Sequence, residues 1–325
     1  MVDVAIKWGI MSTARINRLF LAGARQARGV EIAAVASREQ SSARRFADEQ
    51  QIARAYGSYE ALLADPEIEA VYISLPNSLH IEWTRRALIA GKHVLCEKPL
   101  SRRAAEVASA FDLAGQRERL LMEAFMYRHH PQTHRLQELV GAGAVGRVRL
   151  IRGSFSFFAG DPANIRLNAA LDGGALMDVG CYCVSGARVI AGEPERVSAE
   201  QALGSGRVDV VFTGVMRFRG DVLAHFDAGL ALPIREELEI VGERGALFLG
   251  DPWHCQMPVI ELRRDGEVER IEIEPVDPYM LEAENMSAAI RGQAQPLLGR
   301  DDAIGQARAI EALYQAAGSG RVVEL

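Results

Sequence analysis

The sequence predicts an α/β chain of two domains: an N-terminal doubly wound parallel sheet, then an α+β domain built on a large open, mostly antiparallel sheet. Three observations carry this. The chain has 325 residues, which at about 150 residues per domain makes two, each large enough to bury its own core. Over residues 1–122 short, continuously apolar runs alternate with helical stretches, the pattern of parallel strands buried on both faces. Over residues 123–325 the runs alternate apolar with polar and are joined by turns, the pattern of antiparallel strands with one covered face.

The elements follow in order. Val4-Ala5-Ile6 leads into Trp8-Gly9-Ile10-Met11 as the first strand, and Arg15 to Ala27 reads as helix. Ile32 to Ala36 is the second strand, followed by a helix from Ser41 to Gln51. Val71 to Leu75, His93 to Glu97 and Leu120 to Glu123 supply three more strands. A helical, histidine-rich stretch spans residues 130–140, and alternation then begins at Val148. It continues through Val208 to Phe218, Val222 to Leu230, Glu236 to Val241, Ala246 to Leu249, Val259 to Leu262 and Val268 to Glu274. Asp265-Gly266 is a tight-hairpin signal. Helices near 175–191, 279–291 and 301–317 are expected to cover one face of that sheet, leaving the other for a partner copy.

Composition narrows the function classes. Hydrophobic residues make up 49% and charged residues 25%, which excludes disordered, collagenous and disulfide-scaffold chains. A net charge of −6 gives no basic field for a phosphate backbone, so no nucleic-acid partner is expected. Among the 37 basic residues only Lys7, Lys92 and Lys98 are lysines, and a lysine in a cleft is the compact donor an arginine is not. Lys7 and Lys92 read as remnants of the arginine bias. Cys96, Cys181, Cys183 and Cys255 are too scattered for a disulfide framework and read as free thiols. No leader pattern opens the chain and no run approaches about 18 apolar residues, so the expectation is a cytoplasmic protein with no membrane partner.

The turn after the first strand is where a dinucleotide site would carry G-x-G-x-x-G. Here Gly9-Ile10-Met11-Ser12-Thr13-Ala14-Arg15-Ile16-Asn17 places Ser12, Ala14 and Asn17 at the three small positions. Ser12 and Ala14 still permit close backbone approach, the Ser12 and Thr13 hydroxyls can donate to a pyrophosphate, and the helix opening at Arg15-Ile16 offers amides. At the end of the second strand Ser37-Arg38 stands where an NAD site has a carboxylate for the ribose 2′-hydroxyl. A guanidinium there pairs with a 2′-phosphate and stacks on adenine, so the expected cofactor is NADP.

Leu75-Pro76-Asn77-Ser78-Leu79-His80 and Glu97-Lys98-Pro99 follow the third and fourth apolar runs, at the strand ends where open parallel sheets bind ligands. Leu75, Pro76, Asn77, His80, Glu97 and Lys98 are therefore candidate cofactor contacts. In the second half, Gly173-Gly174-Ala175-Leu176-Met177-Asp178-Val179-Gly180-Cys181-Tyr182 opens a helix, with Asp178 and Tyr182 at i, i+4 on one face.

With these motifs the chain resembles the glucose-fructose oxidoreductase, inositol dehydrogenase and MocA (Gfo/Idh/MocA) family over nearly its whole length. Met122 to Arg128 followed by His130-Pro131-Gln132 resembles the branch with NADP-dependent xylose dehydrogenases and dimeric dihydrodiol dehydrogenases, which has tyrosine at the position of Tyr182. The resemblance implies a Rossmann domain and hydride transfer between NADP and a carbinol or carbonyl of a sugar, polyol or vicinal diol. It also implies a homodimer or higher homo-oligomer. Such chemistry needs a base for the hydroxyl proton and a cation for the developing oxyanion, roles the resemblance gives to Tyr182 and Lys98, with Asp178 orienting the pair. A tyrosine of ordinary pKa, about 10, is a poor base until an ammonium lowers it. His130, His134 and Glu138 fall on one helical stripe beside His129, but the stripe reads as surface or interface and no metal is expected. Two rivals remain on this fold: a non-catalytic NAD(P)-sensing regulator, and a glycoside-cleaving enzyme that uses the nicotinamide with no net redox change.

Overall fold

A computed structural model describes residues 5–325; Val4, expected to open the first strand, lies outside them. The first half runs β1 (Ile6–Met11), α1 (Ile16–Ala24), β2 (Val30–Ala36), α2 (Gln40–Glu49), β3 (Arg54–Tyr56), α3 (Tyr59–Leu63), β4 (Ala70–Ile73), α4 (His80–Ile89), β5 (His93–Glu97), α5 (Ala104–Gln116) and β6 (Leu121–Ala124). The second begins α6 (Pro131–Gly141), β7 (Val148–Phe158), α7 (Cys181–Ala191), β8 (Pro194–Leu203), β9 (Asp209–Phe218) and β10 (Val222–Gly229). It continues through β11 (Ala231–Gly242), β12 (Gly245–Leu249), β13 (Val259–Arg264), β14 (Glu267–Glu272), α8 (Pro278–Ile290), α9 (Arg300–Ser319) and β15 (Val323–Glu324).

The chain forms two compact units. One holds residues up to Ser101, Ala105–Met126 and Asp277–Ile304; the other holds Arg102–Ala104, Tyr127–Val276 and Gly305–Leu325. A single cut between residues 122 and 123 therefore does not describe the contacts, because 277–304 returns to the first unit. The reason is packing across a very long sequence separation. The indole N–H of Trp8, fully buried in β1, donates to Ser287 Oγ on α8 at 3.1 Å. Gly23 of α1 permits this docking: a Cβ there would stand 2.6 Å from the backbone nitrogen of Met280. Asp277 caps α8 by accepting from the amides of Tyr279 and Met280, with Pro278 in the first turn.

In the first unit six parallel strands take the order β3-β2-β1-β4-β5-β6. The order reverses between β1 and β4, whose last residues Met11 and Ile73 are paired. That reversal opens a crevice at the strand ends. Trp8, Ile10, Val35, Tyr72, Val94 and Leu95 are wholly buried, which explains why these strands read as continuous apolar runs. The three-residue β3, on the sheet edge, is too short to show any period.

The second unit is a nine-stranded sheet, β14-β13-β12-β11-β7-β10-β9-β8-β15. Every pair is antiparallel except β7 with β10. The expected Asp265-Gly266 hairpin joins β13 to β14, both residues left-handed at φ 56° and 80°. α7 lies on β7 and β10, and Tyr314 of α9 meets Phe212 of β9 edge-on. The opposite face carries an ion-pair ladder over β7, β11, β13 and β14: Arg152–Glu239 at 2.8 Å, Glu239–Arg263 at 3.4 Å, Arg263–Glu261 at 2.8 Å and Glu261–Arg270 at 3.4 Å. Ala169–Ala191 is long and apolar enough to cross a membrane, against the expectation from the sequence, yet 78% of its most apolar 18-residue stretch is buried inside the fold. It is a core segment.

Candidate active site

Within the first unit, the turn after β1 is built by side chains where glycines would otherwise serve. Ser12 has φ 137°, a region that opposes a Cβ by about 1–3 kcal/mol. Hydrogen bonds of about 1 kcal/mol each offset this. The Ser12 hydroxyl donates to the Ser74 carbonyl and accepts from the Ala14 amide, both at 3.1 Å. Asn17, fully buried, donates to the Ser12 carbonyl at 2.8 Å and accepts from the Ser74 hydroxyl at 2.6 Å. Two expectations change. The Ser12 hydroxyl proton is committed inside the turn rather than offered to a phosphate. Gly9 lies inside β1, where a Cβ would press on Leu62 and Ile68, so its missing side chain serves packing. Thr13 and Ala14 are partly exposed and Arg15 is exposed. α1 starts beyond them with no capping side chain and no acid in its first turn, which leaves its positive end open to an anion.

Ser37 follows β2, its amide donating to the Tyr56 carbonyl at 3.0 Å. Arg38 is exposed, and no hydrogen bond or ion pair holds it among the described residues. Leu75 is buried, and Pro76 and Asn77 are partly so. His80 is fully buried, with Nδ1 2.9 Å from the Pro99 carbonyl and Nε2 2.8 Å from the Leu75 carbonyl. It ties the two loops together, which corrects its place among direct cofactor contacts. The Lys98 loop, with a cis bond to Pro99, is held at two further points. The Tyr72 hydroxyl donates to Glu97, and the buried Glu123 accepts from the Leu100 amide at 2.7 Å. Glu282 of α8 is buried among these groups, and burial, reinforced by the charge of Glu97, raises its pKa well above the ordinary carboxyl range. Lys92, dismissed on composition, is a buried strut donating to the Asp65 and Ile68 carbonyls at 2.7 Å.

In the second unit the Gly173-Gly174 turn is sterically demanded. Gly174 has φ 127°, and a Cβ there would stand 2.2 Å from Asp209 Oδ1. Asp209 in turn accepts from the Leu176 amide at 2.7 Å and the Tyr314 hydroxyl at 3.0 Å. The next segment, Leu176–Gly180, is a π-helical turn running into α7. Asp178 therefore lies in an i→i+5 turn, and the regular α-helical spacing expected between Asp178 and Tyr182 does not apply there. Asp178 is ion-paired with Arg166 at 2.7 Å. Tyr182 is buried among rings: Phe155 at 5.4 Å, Tyr127 at 5.8 Å and Trp253 at 5.9 Å between centroids. His130 caps α6 by accepting from the Gln132 amide, whereas His134 and Glu138 are exposed and Glu138 pairs with Arg135. The sequence alone assigned no role to Ser74, Tyr72, Arg166, Phe155 or Trp253. Asn17, at the third small position of the turn, and Glu123, within the Met122 to Arg128 motif, carried a signal that did not show what they bond.

Two family models match this chain: an oxidoreductase family with an NAD-binding Rossmann fold over residues 6–125, and the GFO/IDH/MocA C-terminal domain over residues 133–248. The D-xylose 1-dehydrogenase (NADP(+)) 2 of Haloferax volcanii is 39% identical over 98% of this chain and 99% of its own. The chain belongs to the Gfo/Idh/MocA family. Another member, the trans-1,2-dihydrobenzene-1,2-diol dehydrogenase of Danio rerio, is 35% identical over 78% of this chain and 77% of its own. Among solved structures, a 3-ketoreductase from Actinomadura kijaniata in complex with NADP and TDP-benzene gives a TM-score of 0.91 at 30% identity, covering 96% of this chain and 98% of that one. The Rossmann sheet and the large, mostly antiparallel sheet are those of a Gfo/Idh/MocA oxidoreductase.

Proposed function

We propose that the chain is an NADP-dependent oxidoreductase interconverting a carbinol and a carbonyl on a sugar, polyol or vicinal diol. The observation that carries this is the full-length likeness to an NADP-dependent D-xylose dehydrogenase. The first unit fits the cofactor. Its strand order reverses at β1 and β4, α1 opens without an acid, and Arg38, two residues beyond β2, has no hydrogen bond or ion pair among the described residues to compete with a 2′-phosphate. Thr13, Ala14, Arg15 and Ile16 are assigned to the pyrophosphate, Ser37 and Arg38 to the adenosine end, and Leu75 to Asn77 with Glu97 and Lys98 to the nicotinamide end. Ser12, Asn17 and His80 act through the loops they hold.

When bound, NADP⁺ supplies the acceptor for the hydride of the C–H bond. In the proposed chemistry Tyr182 takes the hydroxyl proton as that bond breaks, and the Lys98 ammonium stabilises charge on the oxygen. Asp178, fixed by Arg166, orients a substrate hydroxyl. The rings of Phe155, Tyr127 and Trp253 pack around the Tyr182 ring and fix its position.

The same reading includes a cytoplasmic homo-oligomer, a homodimer at the least. All four cysteines are free and buried, and Val215 and Leu223 are exposed on the sheet face away from the helices. Light scattering at micromolar concentration checks the oligomer. The test of the activity is stoichiometric NADPH formation from aldoses, polyols and cyclic diols, assayed with NADP⁺ and NAD⁺. Product without accumulated NADPH would favour glycoside cleavage, and cofactor binding with no turnover would favour a regulator.

A further inference from the structure

Along β11 the side chains alternate. Leu238 and Ile240, 2% and 0% exposed, point to the helix-covered face of the sheet, so Glu236 stands on that face as well. A carboxylate is out of place there. Its register partner across the strands is Phe155, whose ring lies against Tyr182. Glu236 Oε1 accepts from His254 Nδ1 at 2.6 Å, while Oε2 is buried with no hydrogen-bond partner among the described residues. A buried acceptor left unpaired is destabilising, and a group so placed is explained when a ligand supplies the donor. His254 packs edge-on to Phe155 at 5.6 Å and follows Trp253 in the chain. Its side chain is 40% exposed.

Asp251 brings a third ligating atom within 4.8 Å of those of Glu236 and His254, a spacing that also suits a cation. Its two oxygens, however, accept from the amides of Cys255 at 3.0 Å, Gln256 at 2.6 Å and Met257 at 2.8 Å. Asp251 is the cap of that loop, and the remaining pair is a carboxylate and an imidazole beside apolar rings. Rings that cover C–H surface, next to an unfilled acceptor, are the chemistry of carbohydrate hydroxyl recognition.

We propose that Glu236 and His254 form a hydroxyl-reading subsite that sets substrate specificity, with Glu236 Oε2 accepting a hydrogen bond from one hydroxyl of an aldose or polyol and His254 Nε2 bonding the same or the adjacent oxygen. The proposal rests on the oxidoreductase reading above. The experiment compares wild type, Glu236→Gln and His254→Gln with NADP⁺ on D-xylose, D-glucose, L-arabinose, D-ribose and xylitol, then on the monodeoxy counterparts of the best substrate. Each variant is expected to raise KM for the parent sugar about 10–100-fold, with kcat within about threefold and NADPH affinity unchanged by fluorescence titration. On the one analogue that lacks the hydroxyl being read, variant and wild type should converge. His254→Gln, at a partly exposed position, keeps the test alive if Glu236→Gln does not fold. Unchanged KM in a folded variant, an equal loss on every deoxy analogue, or activity abolished by EDTA and restored by zinc would each overturn the subsite. If wild type turns over none of these compounds, the oxidoreductase reading falls first and takes the subsite with it.

Discussion

The Lys98 loop and the Tyr182 helix are held by different physics. Around Lys98 the backbone is bonded from outside by buried polar side chains: His80 at the Leu75 and Pro99 carbonyls, Glu123 at the Leu100 amide. Tyr182 sits instead in a wall of rings, Phe155, Tyr127 and Trp253, each in centroid contact. The difference matters for how each fails. A polar clamp leaves an unpaired group behind when one partner is removed, whereas packed rings lose contact area by degrees. The loop is held all or nothing, and the helix position is held gradually.

The largest expected effect tests the ring-walled side. Tyr182→Phe keeps the ring and removes the oxygen, so turnover should fall by about 10²–10⁴ while the urea midpoint barely moves. Lys98→Met added to it should lower the rate by much less than it does alone, because groups acting as a unit are not additive. Near-normal turnover in Tyr182→Phe would move proton transfer to another residue.

The next effect tests the clamped side. His80→Leu removes the ring that sits on the Leu75 and Pro99 carbonyls, leaves at least one of them without its donor, and should destabilise by about 2–3 kcal/mol in urea unfolding. Phe155→Leu, in the wall, should lose only about 1–2 kcal/mol. If both substitutions weigh the same, the contrast between the two regions is false.

A smaller effect belongs to Arg38, held by neither device. Arg38→Ala should weaken NADP(H) binding by about 1.5–3 kcal/mol, roughly 10–150-fold, with little change for NAD(H). Calorimetry with both cofactors measures it, and a wild type that binds NAD(H) equally well removes the role given to Arg38.

The smallest effect is one of pH. His129, in the short 3-10 turn that also carries Tyr127, is pushed down to about 3 by burial, then by the nearby Arg128 and His134. The unfolded chain binds its proton near the ordinary value of about 6.5, so between that pH and about 3 the unfolded state holds more protons. Stability from this group is complete above that window and falls with acid by about 1.4 kcal/mol per pH unit. His129→Gln should flatten the dependence of the urea midpoint between pH 6.5 and 5; an unchanged slope would assign the acid sensitivity elsewhere.

How much was legible differs by feature. The five long-run parallel strands and the alternating strands of the second half came from side-chain periodicity, which is local. β8 went unseen because Pro194, Glu195, Arg196 and Ser198 interrupt its alternation. The turn after β1 stood out although its glycines are missing, yet Asn17 and Ser74, whose side chains brace it, were not recognised as partners because they lie 57 residues apart. Glu236 read as one more polar residue on a strand. Only the register of β11 on β7 sets it beside Phe155 and turns it inward.

By itself, then, the sequence determined the element types, the strand ends that bear Lys98 and Arg38, the Gly173 to Tyr182 helix entry and the family. Each depends on spacing within one segment, where propensity and steric demand act over a few residues. Tertiary structure alone decided that α8 returns to the first unit through Trp8 and Ser287, that His80 is a strut, that Asp178 lies in a π turn paired with Arg166, and that an inward carboxylate stands opposite Phe155 and against His254. Those outcomes depend on which distant groups satisfy one another once buried, and a linear pattern does not encode which distant groups become neighbours.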